Sequence, residues 1–394
     1  MPCRCLNCIL PPHVLEKLCE SSQAKVRDAA MRTLLATTRL RGERAVRATL
    51  FGLGAPTEGR RSIFDCRRRP DTRGAVLVRT EQGPASADGS VNAAFEGLGV
   101  TRDFYREVLG RNSLDDLGMR LDGYVHYDEA FNNAFWDGQQ MVFGDGDRIL
   151  FTDFTGSLDV IAHELTHGVI EHAAGLIYAN QSGALNESLA DVFGSLVKQW
   201  RLKQDAAEAD WLIGADIFTP DIQADALRSM KDPGSAFDNP TLGKDPQPGH
   251  MDQFQRMPEW DDNGGVHVNS GIPNRAFYLA ATNIGGKAWE APGHIWYEAL
   301  KASSPDTDFQ AFAETTTLKA GQIYGPAEQK AVRAAWAEVG IDVAGVAMPE
   351  GFVARSARPG SEAETLAEMQ RQLAELTRMV AALTKPPARR KEKA

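Results

Sequence analysis

The feature that most constrains this chain is a short apolar stretch, residues 157–170, that carries two histidines and an acid. His163 and His167 are four residues apart, so in a helix they project from one face, one turn apart. Glu164 follows His163 directly. The apolar residues around them recur with the spacing of a buried helix: Leu158, Ile161, Ala162, Leu165, Val169 and Ile170. Three polar side chains in such a helix are costly to bury without a partner.

A divalent metal ion is the partner that best fits this spacing. Two imidazoles one helical turn apart can share a tetrahedral zinc ion. Glu164 would lie beside the ion without binding it, where it can accept a proton from metal-bound water. The alternative is two core histidines and a helix glutamate arranged by chance. Because the chain has only 8 histidines, such a motif arises by chance in roughly one sequence per hundred.

A third ligand is expected from a second helix, because a catalytic zinc ion has three protein ligands and one position for water. Glu187 is the candidate in the stretch 186–193. Asp191 lies four residues further on and therefore on the same helix face, where a carboxylate can hold the outer nitrogen of a histidine ligand. A solvated acidic helix face remains the alternative interpretation of these two carboxylates.

The order of the motifs resembles that of the thermolysin family of zinc endopeptidases. The resemblance spans about residues 75–345 and is carried by these stretches: 132–136, 163–167, 175–178, 186–191, 227–230 and 262–271. It implies an α+β fold of two lobes, a β-rich N-terminal lobe and a helical C-terminal lobe, with the active-site cleft between them.

The same resemblance implies a role for individual residues. The ligands of one zinc ion would be His163, His167 and Glu187. Asp191 would orient His163, and Glu164 would be the general base. Tyr178 and His267 would stabilise the oxyanion of the tetrahedral intermediate, with Asp262 holding His267. The residues that would hold the main chain of a peptide substrate are Asn133, Ala134 and Arg228.

The chain departs from the family at the positions that commonly bind calcium. Asp159 and Asp210 match two of the family's carboxylates, but Lys198, Leu212 and Ala215 stand at others. Calcium is a hard cation that needs several anionic oxygens. The paired calcium site is therefore predicted to be absent, with the lysine neutralising the remaining acids.

The N-terminal residues resemble the short prosegment of the protealysin subgroup, on the motif Cys-Ile-Leu-Pro-Pro-x-x-Leu at 8–15. Residues 1–50 are predicted to be a helical inhibitory prosegment, and 51–74 a linker and processing region. Cleavage is expected within 48–74, before Leu50, Phe51 or Ile63. Cys8 would either cap the zinc as a thiolate or be a buried thiol.

The rest of the chain divides by composition. The predicted segments are 75–156 as the β-rich lobe, 157–346 as the helical lobe, 347–361 as a linker, 362–384 as an amphipathic heptad helix and 385–394 as a basic tail. Leu366, Met369, Leu373, Leu376, Val380 and Leu383 alternate steps of three and four. Such a seam predicts a helix that pairs with another copy of the chain or lies on its own domain.

Charge and targeting signals exclude several classes of protein. Residues 1–73 carry 15 lysines and arginines against 7 aspartates and glutamates, whereas the whole chain has a net charge of -10. A basic leading segment is expected to dock on an acidic body, and that body would repel nucleic acid. No membrane span or Sec signal is predicted. We expect synthesis in the cytoplasm, which is compatible with secretion by a non-Sec route.

The function expected from the sequence is that of a zinc endopeptidase made as a self-processed zymogen, acting on protein and peptide substrates. A preference for bulky hydrophobic residues after the scissile bond is implied by the family. Two alternatives remain: a zinc aminopeptidase, for which no motif that captures a free amine is found, and a non-catalytic protein that keeps zinc structurally.

Overall fold

The computed structural model of the chain describes residues 7–47, 60–343 and 345–346. The predicted linker 347–361, the heptad helix 362–384 and the basic tail 385–394 lie outside the described residues, as do Leu50 and Phe51. The self-association expected from the heptad seam therefore stays a prediction.

A six-stranded mixed sheet forms the N-terminal part of the fold. Its strands, in chain order, are β1 Asn7–Cys8, β2 Arg61–Asp65, β3 Val76–Thr80, β4 Leu121–Val125, β5 Ala134–Trp136 and β6 Met141–Phe143. Their order across the sheet is β1-β5-β6-β4-β2-β3. The central strands β6, β4 and β2 run parallel, and the remaining neighbours pair antiparallel. The edge formed by β5 is thus covered by β1.

Two features of this part correct the sequence analysis. Strand β2 lies inside the stretch 51–74 that was predicted to be a linker, and Ile63 at its centre is fully buried. A protease cannot reach the bond before Ile63 without unpairing an inner strand, so that processing site is not supported. The long helix α3, Gly89–Leu109, also crosses a region that was predicted to be strand-like.

The C-terminal part is helical. Its helices are α4 Leu158–Ala173, α5 Asn180–Leu202, α6 Asp262–Asn269, α7 Gly271–Ile284, α8 Ala291–Lys301, α9 Phe309–Ile323 and α10 Pro326–Glu338. Short ladders join β7 Leu212–Ile213 to β8 Arg228–Ser229 and β9 Asp238–Asn239 to β10 Gly243–Lys244. The predicted α+β fold of a sheet-containing part and a helical part is confirmed. No helix in the described ranges is long and apolar enough to cross a bilayer.

The segment predicted to be a prosegment contains two helices in addition to β1. Helix α1, Pro12–Cys19, begins with a proline at its first turn, where the missing N–H costs nothing. Helix α2 is Ala24–Arg47. Val14, Leu15 and Leu18 of α1 are buried, and they belong to the same continuous apolar core as the sheet and the C-terminal helices. Helix α1 is therefore packed as part of the body.

Candidate metal centre and active site

Helices α4 and α5 bring the two histidines and Glu187 to one point. His163 Nε2 lies 3.1 Å from His167 Nε2 and 3.5 Å from Glu187 Oε2. His167 Nε2 lies 3.6 Å from Glu187 Oε1. Zinc binds nitrogen and oxygen at about 2.0–2.1 Å, which corresponds to about 3.3 Å between ligand atoms of a tetrahedron. The three side chains therefore fit one zinc ion.

The outer nitrogens of both histidines have acceptors. His163 Nδ1 lies 2.8 Å from Asp191 Oδ1, and His167 Nδ1 lies 2.7 Å from Asn186 Oδ1. When each Nδ1 donates a proton to its acceptor, the Nε2 lone pairs face each other inside the group of three. That arrangement is unfavourable without a cation and favourable with one. Among the described residues, no other group of three such side chains brings its ligand atoms this close together.

Asp191 is itself held in place. Arg228 donates two hydrogen bonds to its carboxylate, at 2.8 and 2.7 Å, and Asn274 Nδ2 donates a third at 2.9 Å. Burial alone would raise the pKa of Asp191, but the positive charge of Arg228 and the bond to His163 outweigh it and lower that pKa. The carboxylate of Asp191 therefore stays ionised and can accept a hydrogen bond from His163.

Glu164 is fully buried next to this group, and its Oε2 accepts the backbone N–H of Trp136 at 3.0 Å. Burial and the negative charge of Glu187 both raise its pKa. A raised pKa makes Glu164 a stronger base than an exposed glutamate and a better carrier of a proton.

His267 and Tyr178 lie on the other side of the group. Asp262 Oδ1 is 2.5 Å from His267 Nδ1, and Asp262 Oδ2 accepts the His267 backbone N–H at 2.9 Å. Tyr178 donates its hydroxyl to Glu187, and that hydroxyl oxygen is 3.3 Å from His267 Nε2. Burial opposes a charge on His267, but Glu187 and Asp262 outweigh it and raise its pKa to about 9. Both groups can donate a hydrogen bond near neutral pH.

The turn that presents His267 requires glycine. Gly264 and Gly265 have φ of 83° and 80°, in the left-handed region. A Cβ on Gly264 would lie 2.4 Å from Asn180 Oδ1. The Asn-Gly-Gly run of the motif is therefore explained by backbone geometry, which places Asp262 and His267 for their contact.

The three residues expected to hold a substrate main chain all bind the backbone of Ile9 or Leu10. Asn133 Oδ1 accepts the N–H of Leu10 at 3.0 Å, and the carbonyl oxygen of Ala134 accepts the N–H of Ile9 at 3.3 Å. Arg228 Nη1 donates to the carbonyl oxygen of Ile9 at 3.1 Å. Residues 7–10 thus lie along this edge as an added strand of the sheet.

The structure does not place the thiol of Cys8 on the metal group. Cys8 pairs with Phe135 in the β1–β5 ladder, so both side chains are on one face of the sheet. The next residue of β5, Trp136, points to the opposite face of the sheet and packs against Gly168 of α4. The Cys8 side chain is buried beside Phe135 and Val142 instead. Its carbonyl oxygen lies 3.2 Å from His267 Nε2.

Lys198 takes the place predicted for it among the acids. Its Nζ lies 3.3 Å from Asp159 Oδ2 and 3.0 Å from Asp210 Oδ2. The negative charges of Asp159, Asp210 and Asp216 outweigh burial and raise the pKa of Lys198. An ammonium group thus occupies the centre of this acidic cluster.

Two residues that support the site were not predicted from the sequence. Asn186 was part of the quoted motif but had no assigned role. Asn274 had no signal, because a single asparagine on an amphipathic helix has no distinctive pattern. The contact between Trp136 N–H and Glu164 could not be predicted either, since every residue offers that donor.

Comparisons with known proteins agree with this geometry. Residues 58–171 match the family model "Thermolysin metallopeptidase, catalytic domain", and 174–341 match "Thermolysin metallopeptidase, alpha-helical domain". The chain is 47% identical over 342 residues to "Protease PrtS" of Photorhabdus sp. (strain Az29), covering 85% of this chain and 92% of the relative. It is 46% identical over 345 residues to "Extracellular metalloprotease" of Pectobacterium carotovorum subsp. carotovorum, covering 87% and 99%.

A solved structure is similar over most of the chain. It is described as "Precursor of Protealysin, Metalloproteinase from Serratia proteamaculans" and is 47% identical in sequence. It superposes with a TM-score of 0.77, covering 85% of this chain and 99% of that chain. The similarity thus includes a precursor form.

Proposed function

Because this chain belongs to the thermolysin family of metallopeptidases, and is a hydrolase of the metalloendopeptidase class, we propose that it is a zinc endopeptidase made as a self-processed zymogen. One observation carries the proposal. A peptide main chain lies against Asn133, Arg228 and His267, beside the base Glu164. A site for structural zinc would need none of these four contacts.

Each residue has a task in the proposed reaction. A bound zinc ion would make water a nucleophile near neutral pH and stabilise negative charge on oxygen. Glu164 takes the proton from that water and delivers it to the leaving nitrogen. His267, held by Asp262, and Tyr178 donate hydrogen bonds to the oxyanion.

The proposed specificity is for a bulky hydrophobic residue after the scissile bond. In the prosegment this position is taken by Ile9, which is fully buried within the apolar core. A pocket that buries an isoleucine gains about 1.5–3 kcal/mol from apolar contact. A charged side chain there would lose its hydration without an ionic partner.

The zymogen part of the proposal rests on the same contacts. Residues 7–19 fill the cleft with a strand and a helix, so a substrate cannot bind until they leave. We further propose release outside the cell by a route other than Sec; the extracellular location is supported by the Pectobacterium relative, which is named "Extracellular metalloprotease".

The test is digestion of casein, with and without a zinc chelator. The chelator should abolish digestion and added zinc should restore it. Glu164→Gln should lose at least about a hundredfold in rate, whereas Glu171→Gln, further along the same helix, should keep its rate. Zinc bound without digestion would favour a structural metal protein. Cleavage of peptides only when the N-terminus is free would favour an aminopeptidase.

A further inference from the structure

The peptide bond between Cys8 and Ile9 lies where a scissile bond would have to lie. Its carbonyl oxygen is 3.2 Å from His267 Nε2, the proposed oxyanion donor. Its nitrogen belongs to Ile9, whose N–H donates to the carbonyl oxygen of Ala134 at 3.3 Å. Two residues further along the same strand β5, the N–H of Trp136 donates to Glu164 Oε2 at 3.0 Å. The bond therefore has a donor at its oxygen, and strand β5 holds both its nitrogen and the base.

The residues after this bond fix its register. The carbonyl oxygen of Ile9 is held by Arg228, and the N–H of Leu10 is held by Asn133. A shift by one residue would break both contacts and would turn the buried Ile9 side chain to the opposite face of the sheet. The chain cannot slide to place another bond at the base without losing these contacts.

We infer that this protein cuts its own Cys8–Ile9 bond, within the same molecule, as a step in its activation. The inference rests on the proposed endopeptidase function. Water adds to the carbonyl carbon of Cys8, and the bond from that carbon to the Ile9 nitrogen breaks. Glu164 moves a proton of the water to that nitrogen. The products are a carboxylate on Cys8 and an amino group on Ile9.

The two sides of the cut are held very differently. On the leaving side, the described contacts are the two-residue ladder of β1 with β5, the contact of the Cys8 carbonyl oxygen with His267 and the single buried side chain of Cys8. On the other side, α1 is anchored by three buried apolar residues. Residues 1–8 therefore leave after the cut, which prevents religation, while the chain from Ile9 onward stays docked. The departing segment carries Cys3, Cys5 and Cys8, three of the five cysteines.

The test follows the mass and the N-terminal sequence of the purified full chain after zinc is added. Wild type should yield chains that begin at Ile9, and the rate constant should not change with protein concentration. Glu164→Gln should keep residues 1–8. Ile9→Asp should slow the cut at least tenfold, because it puts a charge in the apolar pocket, while Cys8→Ala should be cut within about threefold of the wild-type rate.

A second measurement checks the register without any activity. In metal-free Glu164→Gln, alkylation of Cys8 should be slow, because its side chain is only 2% exposed. The further change Ile9→Asp should speed alkylation of Cys8 at least tenfold by unseating the strand. Far-ultraviolet circular dichroism of the same samples should stay unchanged and so report that the body is folded.

The outcomes separate the two proposals. Casein digestion without any chain that begins at Ile9 would overturn this inference and leave the endopeptidase function standing. An Ile9 terminus in Glu164→Gln, or a rate proportional to concentration, would also overturn it, because the cut would then be made by another molecule. Loss of both casein digestion and self-cutting would overturn the proposed function as well.

Discussion

At the scale of single residues, the metal group depends on acceptors that never touch the ion. Asn186 fixes the ring of His167 through a 2.7 Å contact at Nδ1. Asn186→Ala should lower zinc affinity about 10- to 100-fold, the usual effect of losing such a partner. Competition with a coloured zinc chelator measures this. Ser195→Ala, a buried polar side chain on the same helix, should leave the affinity unchanged; an equal loss there would contradict the assignment.

A second residue, Lys198, is predicted to replace a divalent cation. Its side chain is 14% exposed between Asp159 and Asp210. Lys198→Gln leaves the fully buried Asp159 without its counter-charge, so it should lower stability by about 2–4 kcal/mol. Added calcium should then raise the melting temperature of this variant and have no effect on wild type.

Lys301→Gln is the control for Lys198, because its ion pair with Glu298 is exposed and should contribute under about 1 kcal/mol. Wild type stabilised by calcium, or destabilised by a calcium-selective chelator, would show that the lysine does not fill the site.

At the scale of elements, His126 joins the start of α3 to the loop after β6. Its Nε2 lies 3.0 Å from Asp88, the N-cap of α3, and its Nδ1 lies 2.6 Å from Asp145. The bond to Asp145 raises the pKa of His126 to about 9, against the effect of burial. The contribution of charged His126 to the stability of the fold is therefore complete below the ordinary histidine pKa of about 6.5 and is lost as the pH rises through 9.

This gives a pH-dependent prediction. His126→Gln should lower stability at pH 6 by about 2 kcal/mol, and its melting temperature should approach that of wild type by pH 9.5. Melting curves across this range measure the difference. Thr101→Val removes a buried hydrogen bond of α3 from a side chain that does not titrate, so its difference from wild type should stay constant over this range. A constant difference for His126→Gln would contradict the prediction.

Elements were predictable where their own sequence carries the pattern. Helix α4 is one, since its spacing alone places His163 and His167 on one face. Strands β1 and β2 could not be predicted. Strand β1 has only two residues and is formed only by pairing with β5. Strand β2 is an inner strand, but the arginines around Ile63 give it the composition of an exposed linker. The role of Asn274 could not be predicted either, since its contact with Asp191 joins two helices far apart in sequence.

At the scale of the whole molecule, the prosegment and the catalytic parts share one apolar core. Buried residues of α1 belong to the same cluster as residues of α4, α5 and the sheet. The free energy gained by apolar burial is proportional to the buried area and does not depend on charge. The basic character of residues 1–73 therefore adds to a docking that apolar contact already provides.

A matched pair of leucines tests this view of the zymogen. Leu18 in α1 is fully buried, whereas Leu35 in α2 is 72% exposed. Leu18→Ala should cost about 2–5 kcal/mol of docking free energy, and Leu35→Ala about 0.5 kcal/mol or less. The lag before casein digestion should shorten for Leu18→Ala, because the prosegment leaves the cleft more readily, and should not change for Leu35→Ala. Equal lags in the two variants would mean that apolar packing of α1 does not hold the enzyme inactive.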